Sequence, residues 1–214
     1  MIKNEFIKRV FSSLILIPIV FFIIIEGSIL FNFFISICLV ITAYEWLQMS
    51  KANIQKIFGL FFIIISFYSI FKIRNDFNQD YFHILLIAII CISTDTGGYI
   101  FGKLLKGPKL TKLSPKKTYA GMFGSFLLSI IITIIFFELI SRIYNFKYTE
   151  ETFIFVLLVS LVSQIGDIII SYFKRLSKIK DTGNIIPGHG GILDRIDGIL
   201  VGLPFGIIIS FYLN

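Results

Sequence analysis

The sequence predicts an all-α fold, a polytopic membrane helix bundle of about seven transmembrane helices with a cytoplasmic N-terminus. Three observations predict it. Of 214 residues, 56% are hydrophobic, only 15% are charged and 25 are phenylalanine. A soluble domain is nearer about 45–50% apolar and would have to expose the excess to water. The apolar residues also form continuous runs close to the roughly 20 residues that cross a bilayer. Finally, the basic residues gather between alternate runs, so that one side holds most of them.

The runs cover residues 9–26, 28–49, 57–73, 81–101, 120–140, 153–173 and 196–213. Lys8 and Arg9 precede the apolar core of the first run as they would in a signal peptide. No small-residue cleavage site follows and the second run starts at once, so the first is expected to stay as a span. Ile and Val are frequent, but the runs are continuous, whereas a membrane barrel needs alternating segments of about ten residues. A helix satisfies its own backbone polar groups in lipid. The length suits one integral membrane domain over residues 1–214, with N-terminal spans in 1–80 and the chemistry-bearing half in 81–214.

Charge tests this topology independently, because cytoplasmic loops carry the Lys/Arg excess. With the N-terminus inside, the inner segments hold Lys3, Lys8, Arg9, Lys51, Lys56, Lys103, Lys106, Lys109, Lys112, Lys116, Lys117, Lys174, Arg175, Lys178, Lys180 and Arg195. The outer segments hold Lys72, Arg74, Arg142 and Lys147, a split of 16 against 4 that an eighth crossing would destroy. The net charge of +7 is therefore a membrane signature. Nucleic acid is not indicated, since aromatic residues do not interleave with the basic ones. Cys38 and Cys91 lie inside apolar runs and read as small packing residues.

Acidic residues at membrane depth are functional candidates. Glu45, beside Trp46, reads as an interfacial residue at an aromatic belt. Asp95 opens DTGGYIFGK and shares a helical face with Tyr99, with Gly98 and Gly102 allowing a helix or a ligand to approach. The loop KLLKGPKLTKLSPKKT follows. Attraction to anionic headgroups explains its lysines. The arrangement of Ser114, Lys116, Lys117 and Thr118 around a proline further suits a phosphate.

The densest constellation runs from Asp167 to Asp197. Asp167, Ser171 and Lys174 fall at i, i+4 and i+7 of a helix, with Arg175 adjacent. Lys180, Asp181 and the loop Pro187–Gly191 follow. Glycines let backbone N–H groups approach phosphate oxygens, and no Walker A spacing is present. Asp194 and Asp197, at i and i+3 beside Arg195, are hard oxygen ligands suited to Mg²⁺. They also suit a helix N-terminus, though two acids, an arginine and a glycine loop together exceed a cap. His189 is a structural hydrogen bonder or a phosphate contact. Zinc is disfavoured for want of a second His or Cys in a polar segment. Cations that clamp phosphates and acids that hold a metal point to phosphoryl or nucleotidyl transfer at the cytoplasmic boundary.

These residues carry a resemblance. Ser171, Lys174, Arg175, Lys180, Asp181, Gly183, Pro187, His189, Gly190, Gly191, Asp194, Arg195 and Asp197 resemble the signature of the phosphatidate cytidylyltransferase (CDP-diacylglycerol synthase) family. DTGGY with SPKKT resembles its upstream motif, so the likeness spans residues 95–198. It implies transfer of CMP from CTP to phosphatidic acid with release of pyrophosphate. It also implies an enzyme integral to a bacterial-type inner membrane, with its site facing the cytoplasm. Implied, too, are Mg²⁺ held by Asp167, Asp194 and Asp197, with room for a second cation, and phosphates bound by Lys116, Lys117, Lys174 and Arg175. The partners expected are CTP, phosphatidic acid, the bilayer and a second copy of the chain. Ala120 stands where the family has an acid, which is missing here or supplied elsewhere, Asp95 being the candidate. The N-terminal half is also shorter than in longer members.

Rival readings make different demands. A CTP-dependent polyprenol kinase would move the γ-phosphate instead. A CDP-alcohol phosphotransferase needs DGxxAR…GxxxD, which is absent. A transporter with Asp95 and Asp167 as relay carboxylates would not need the lysine cluster or PGHGG.

Overall fold

The computed structural model describes residues 14–16, 18–76, 81–111, 114, 117–144, 148–186 and 190–213. Among them the chain forms seven α-helices: α1 (Leu14–Glu26), α2 (Ser28–Met49), α3 (Asn53–Asp76), α4 (Phe82–Leu105), α5 (Tyr119–Tyr144), α6 (Glu150–Leu176) and α7 (Leu193–Leu213). Each expected apolar run overlaps one of them, residues 9–13 of the first run lying outside the described residues. Five, α2 to α6, are long and apolar enough to cross a membrane. The first is shorter, and α7 opens with Asp194, Arg195 and Asp197 ahead of its apolar stretch. The lipid solvent explains the surface: Phe33, Phe58, Phe61, Phe123 and Leu139 each expose well over half of their area. In water such a surface would mark an aggregation site, whereas in hydrocarbon it is the solvated face.

Two compact units result, the first made of Met1–Ile84 and Phe173–Asp197, the second of Leu85–Tyr172 and Gly198–Asn214. In the first, α1 and α2 are joined by Gly27 alone, whose φ of 67° suits glycine. The buried Arg74 on α3 packs where a Cβ on Gly27 would lie. Its guanidinium donates to Ile24 O (3.3 Å) and Ile25 O (3.2 Å). It thereby satisfies carbonyls that the end of α1 leaves open. Trp46 is buried against Phe173, ring centroids 5.0 Å apart, and its Nε1–H donates to Gln55 O.

The second unit is held by small residues. Gly97 and Gly98 on α4 meet Gly121, Gly124 and Ser125 on α5, so the glycines of DTGGY seat a helix. On α7, Gly198, Gly202 and Gly206 recur every fourth residue and meet Ser163, Cys91 and Ile87. Without a hydrophobic drive between helices in lipid, such close approach supplies the packing. Thr94 Oγ1 donates to Ser160 Oγ (2.8 Å), and Ser125 Oγ donates to Thr94 O (2.7 Å). Cys91 is fully buried and free, and Cys38 is half-buried and free. Both are packing residues, as expected.

Candidate active site

The constellation from Lys174 to Asp197 folds on itself within the first unit. Past the end of α6, Ser177 Oγ donates to Met49 O (2.5 Å). Lys178 takes a left-handed φ of 59° and turns the chain away. The loop then closes through Ile186 and Gly190, each N–H donating to the other's carbonyl. Gly190, with φ of 90°, leads into α7.

Asp194 is the hub. Its Oδ2 accepts the N–H groups of Thr182 (2.7 Å) and Gly191 (3.0 Å). Its Oδ1 accepts from Lys174 Nζ at 3.0 Å, and the same Nζ lies 3.8 Å from Asp197 Oδ2. Lys174, Asp194 and Asp197 are all buried. Burial pushes the Asp194 carboxyl up. The Thr182 amide, the Lys174 ammonium and the Gly191 amide together outweigh burial and hold it below the usual carboxylate value.

The carboxylates fit Mg²⁺ in a particular way. Asp194 and Asp197 converge on one positive charge, and hard oxygens so disposed suit an ion that takes one or two carboxylates and completes its shell with water and substrate phosphates. Among the described residues, no three His, Cys, Asp or Glu side chains gather closely enough to cage a metal.

Glu45 is the residue sequence reasoning misplaced. It is not an interfacial side chain, because only 2% of its surface is exposed. Its Oε1 accepts from Ile192 N–H (3.0 Å), and its Oε2 accepts from Leu193 N–H (2.8 Å) and Thr182 Oγ1 (3.1 Å). A carboxylate thus sits at the N-terminus of α7, where the helix dipole favours an anion. Gly183 and Gly191 leave the room it fills: a Cβ on Gly191 would stand 2.5 Å from Glu45 Oε2. The sequence showed the acid but not its partners, which lie more than 130 residues away.

In the second unit, hydrogen bonds join the described residues on either side of and within SPKKT. Leu110 N–H donates to Lys117 O, Tyr119 N–H to Pro108 O and Lys117 N–H to Ser114 O. Ser114 N–H donates to Thr111 Oγ1. Thr118 Oγ1 accepts Gly121 N–H (3.1 Å) and so caps α5. Lys117 reaches α6, where its Nζ lies 2.5 Å from Asp167 Oδ2. Ser171 Oγ donates to Asp167 Oδ1 (3.3 Å), as the i, i+4 spacing predicted.

Of the remaining expected residues, Asp95, Arg175, Lys180, Asp181 and Arg195 are exposed. Arg175 Nη1 donates to Ile179 O, which helps end α6. Lys116 and His189 lie outside the described residues.

Comparison with known proteins gives one answer. Residues 53–213 match the model described as the Cytidylyltransferase family. The chain is 35% identical over 219 residues to the phosphatidate cytidylyltransferase of Rickettsia conorii, covering 99% of this chain and 94% of that one. It is 32% identical to the phosphatidate cytidylyltransferase of Staphylococcus epidermidis, covering 76% of this chain and 70% of the other. Against that of Bacillus subtilis it is 36% identical, covering 67% of this chain and 53% of the other.

Proposed function

The chain belongs to the cytidylyltransferase family, and from that premise we infer that it is a phosphatidate cytidylyltransferase of a bacterial-type membrane. It joins CTP and phosphatidate to form CDP-diacylglycerol and pyrophosphate. A phosphate oxygen of phosphatidate attacks the α-phosphorus of CTP. The new P–O bond forms as the bond to the β-phosphate breaks, and pyrophosphate leaves. The attacking oxygen is already an anion, so no side chain has to remove a proton. What the protein supplies is position and charge.

The observation that carries this reading is the Lys174–Asp194–Asp197 cluster with its glycine loop, a buried charge centre on which backbone amides converge. Asp167, expected as a third ligand, belongs to the other unit and is tested separately below, while Asp194 and Asp197 would hold Mg²⁺. Bound there, the ion would neutralise charge on the phosphate oxygens as the transfer proceeds. Lys174 lies between the two acids and balances their charge. Lys117 and Lys116 bind phosphates from the segment before α5. Arg175, Lys180 and Arg195, exposed around the 174–197 segment, meet a substrate arriving from water. Ser114, Ser171, Asp95, Asp181 and His189 complete the substrate contacts, whereas the Gly190 and Gly191 N–H groups, expected on phosphate, are given to Ile186 O and Asp194 Oδ2. Thr118 serves as well through its cap, which orients the segment before α5.

The orientation belongs to the proposal too: seven spans, the N-terminus inside and the site at the cytoplasmic face, supported by the 16-to-4 split of basic residues. Reporter fusions at each loop check it. Assembly as a homodimer is checked by native mass spectrometry.

Purified protein with CTP, phosphatidate and Mg²⁺ should release pyrophosphate in step with CDP-diacylglycerol. Release of ADP-like diphosphate nucleotide (CDP) in place of pyrophosphate would instead indicate a lipid kinase.

A further inference from the structure

Glu45 has no part in the reaction as described so far, yet it is buried and makes three hydrogen bonds. Those bonds end on the segment that holds Asp194. Thr182 is the link: its hydroxyl donates to Glu45 Oε2 and its backbone N–H to Asp194 Oδ2. Gly191 is a second link. Its N–H donates to Asp194 Oδ2, and its Cα face has no room for a Cβ against Glu45 Oε2 and Thr182 Oγ1, each 2.5 Å away. Both amides that fix Asp194 therefore belong to residues locked against the Glu45 carboxylate.

The structure assigns Glu45 as a positioning residue for nucleotidyl transfer, acting through Thr182 and Gly191 on Asp194. The assignment rests on the function proposed above. A carboxylate suits the task because its two oxygens meet only donors: two amides and a hydroxyl. Glutamine must turn its NH₂ toward at least one of them, which repels the loop and lets Asp194 drift. A misplacement of about 1 Å costs on the order of 100-fold in rate. The Gly183 and Gly191 positions gain a reason other than approach to phosphate, since each leaves the space that Glu45 fills.

The test compares wild type, Glu45→Gln, Thr182→Val and the double variant in detergent, with kcat and KM referred to folded protein and amide exchange followed at 181–194. Glu45→Gln should lower kcat about 100-fold with KM for phosphatidate unchanged, and the Gly191–Leu193 amides should exchange faster. Thr182→Val keeps its amide on Asp194 and should show a smaller loss of the same kind. The double variant should be no worse than Glu45→Gln alone, because both act along one link. A Glu45→Gln enzyme that only melts earlier, with wild-type kcat per folded molecule, would overturn the assignment. So would losses that multiply in the double variant. If Glu45→Gln does not fold, Thr182→Val with wild-type kcat and exchange overturns it. Wild-type protein that makes no CDP-diacylglycerol counts against the proposed function instead. Amide exchange at 191–193 then still decides whether Glu45 holds the loop.

Discussion

Two lysine–aspartate pairs, one in each unit, share a chemistry and differ in almost everything around it. Lys117 and Asp167 are about a quarter exposed, at 24% and 26%. Lys117 comes from the segment before α5. Lys174 and Asp194 are 10% and 3% exposed, a second acid stands beside them and two backbone amides fix the aspartate. An exposed pair is worth about 0–1 kcal/mol, whereas removing one partner of a buried pair costs about 3–5 kcal/mol. The first pair can exchange its partner for a substrate phosphate at little cost. The second is fixed, and in the proposed mechanism it would hold the geometry around which transfer takes place. Identical residue types thus divide into a cation that can be lent and one that cannot.

The comparison can be broken at several points. Asp194→Asn should abolish CDP-diacylglycerol formation, a loss of about 10³-fold or more, while the protein still inserts; membrane fractionation with a product assay checks both. Full activity would remove Asp194 from the site. Asp167→Asn should lower activity as well, and its Mg²⁺ dependence shows whether this acid shares the ion: an unshifted Mg²⁺ titration would leave it as the Lys117 partner only. Lys174→Met leaves two buried acids without their cation and should destabilise the fold by about 3–5 kcal/mol, read by unfolding in mixed micelles. A cost under about 1 kcal/mol would erase the distinction between the pairs. Lys117→Ala should leave unfolding within about 1 kcal/mol of wild type but raise KM for a phosphate substrate about tenfold. Unchanged KM for both CTP and phosphatidate contradicts that.

The smallest effect is a pH dependence. The Asp194 carboxyl is held below the usual carboxylate value in the folded protein, the Thr182 and Gly191 amides and Lys174 outweighing burial. Its ionised form is then favoured by folding, so its contribution is complete well above that usual value and fades as pH falls through the lower folded value. Stability of Asp194→Asn should therefore fall less steeply than that of wild type below about pH 4. Parallel curves would mean that the amides and Lys174 do not outweigh burial.

Much of this was legible in the sequence, for physical reasons that can be named. Apolar runs in lipid have one solution, and each described helix overlaps one of the seven runs, five of them long and apolar enough to cross a membrane. Spacing along one helix also reads directly, so Ser171 was placed on Asp167. The repeat of Gly198, Gly202 and Gly206 is equally legible as a close-packing stripe, though close approach is expected from sequence only for Gly98 and Gly102. What pattern could not show were partners far apart in sequence. Nothing local joins Lys117 to Asp167, or Glu45 to Leu193 across 148 positions. Glu45 beside Trp46 read as an interfacial pair because both residue types favour that place. Both are buried instead, Trp46 against Phe173 and Glu45 on the loop.

One measurement tests the central claim most directly. Wild type and Asp194→Asn, reconstituted with phosphatidate and Mg²⁺, are each given CTP labelled at the α- or at the γ-phosphorus. The account predicts that α-label enters lipid with wild type only, and that γ-label leaves entirely in pyrophosphate. Label from the γ-position in lipid, or equal α-label in lipid from both proteins, would contradict it.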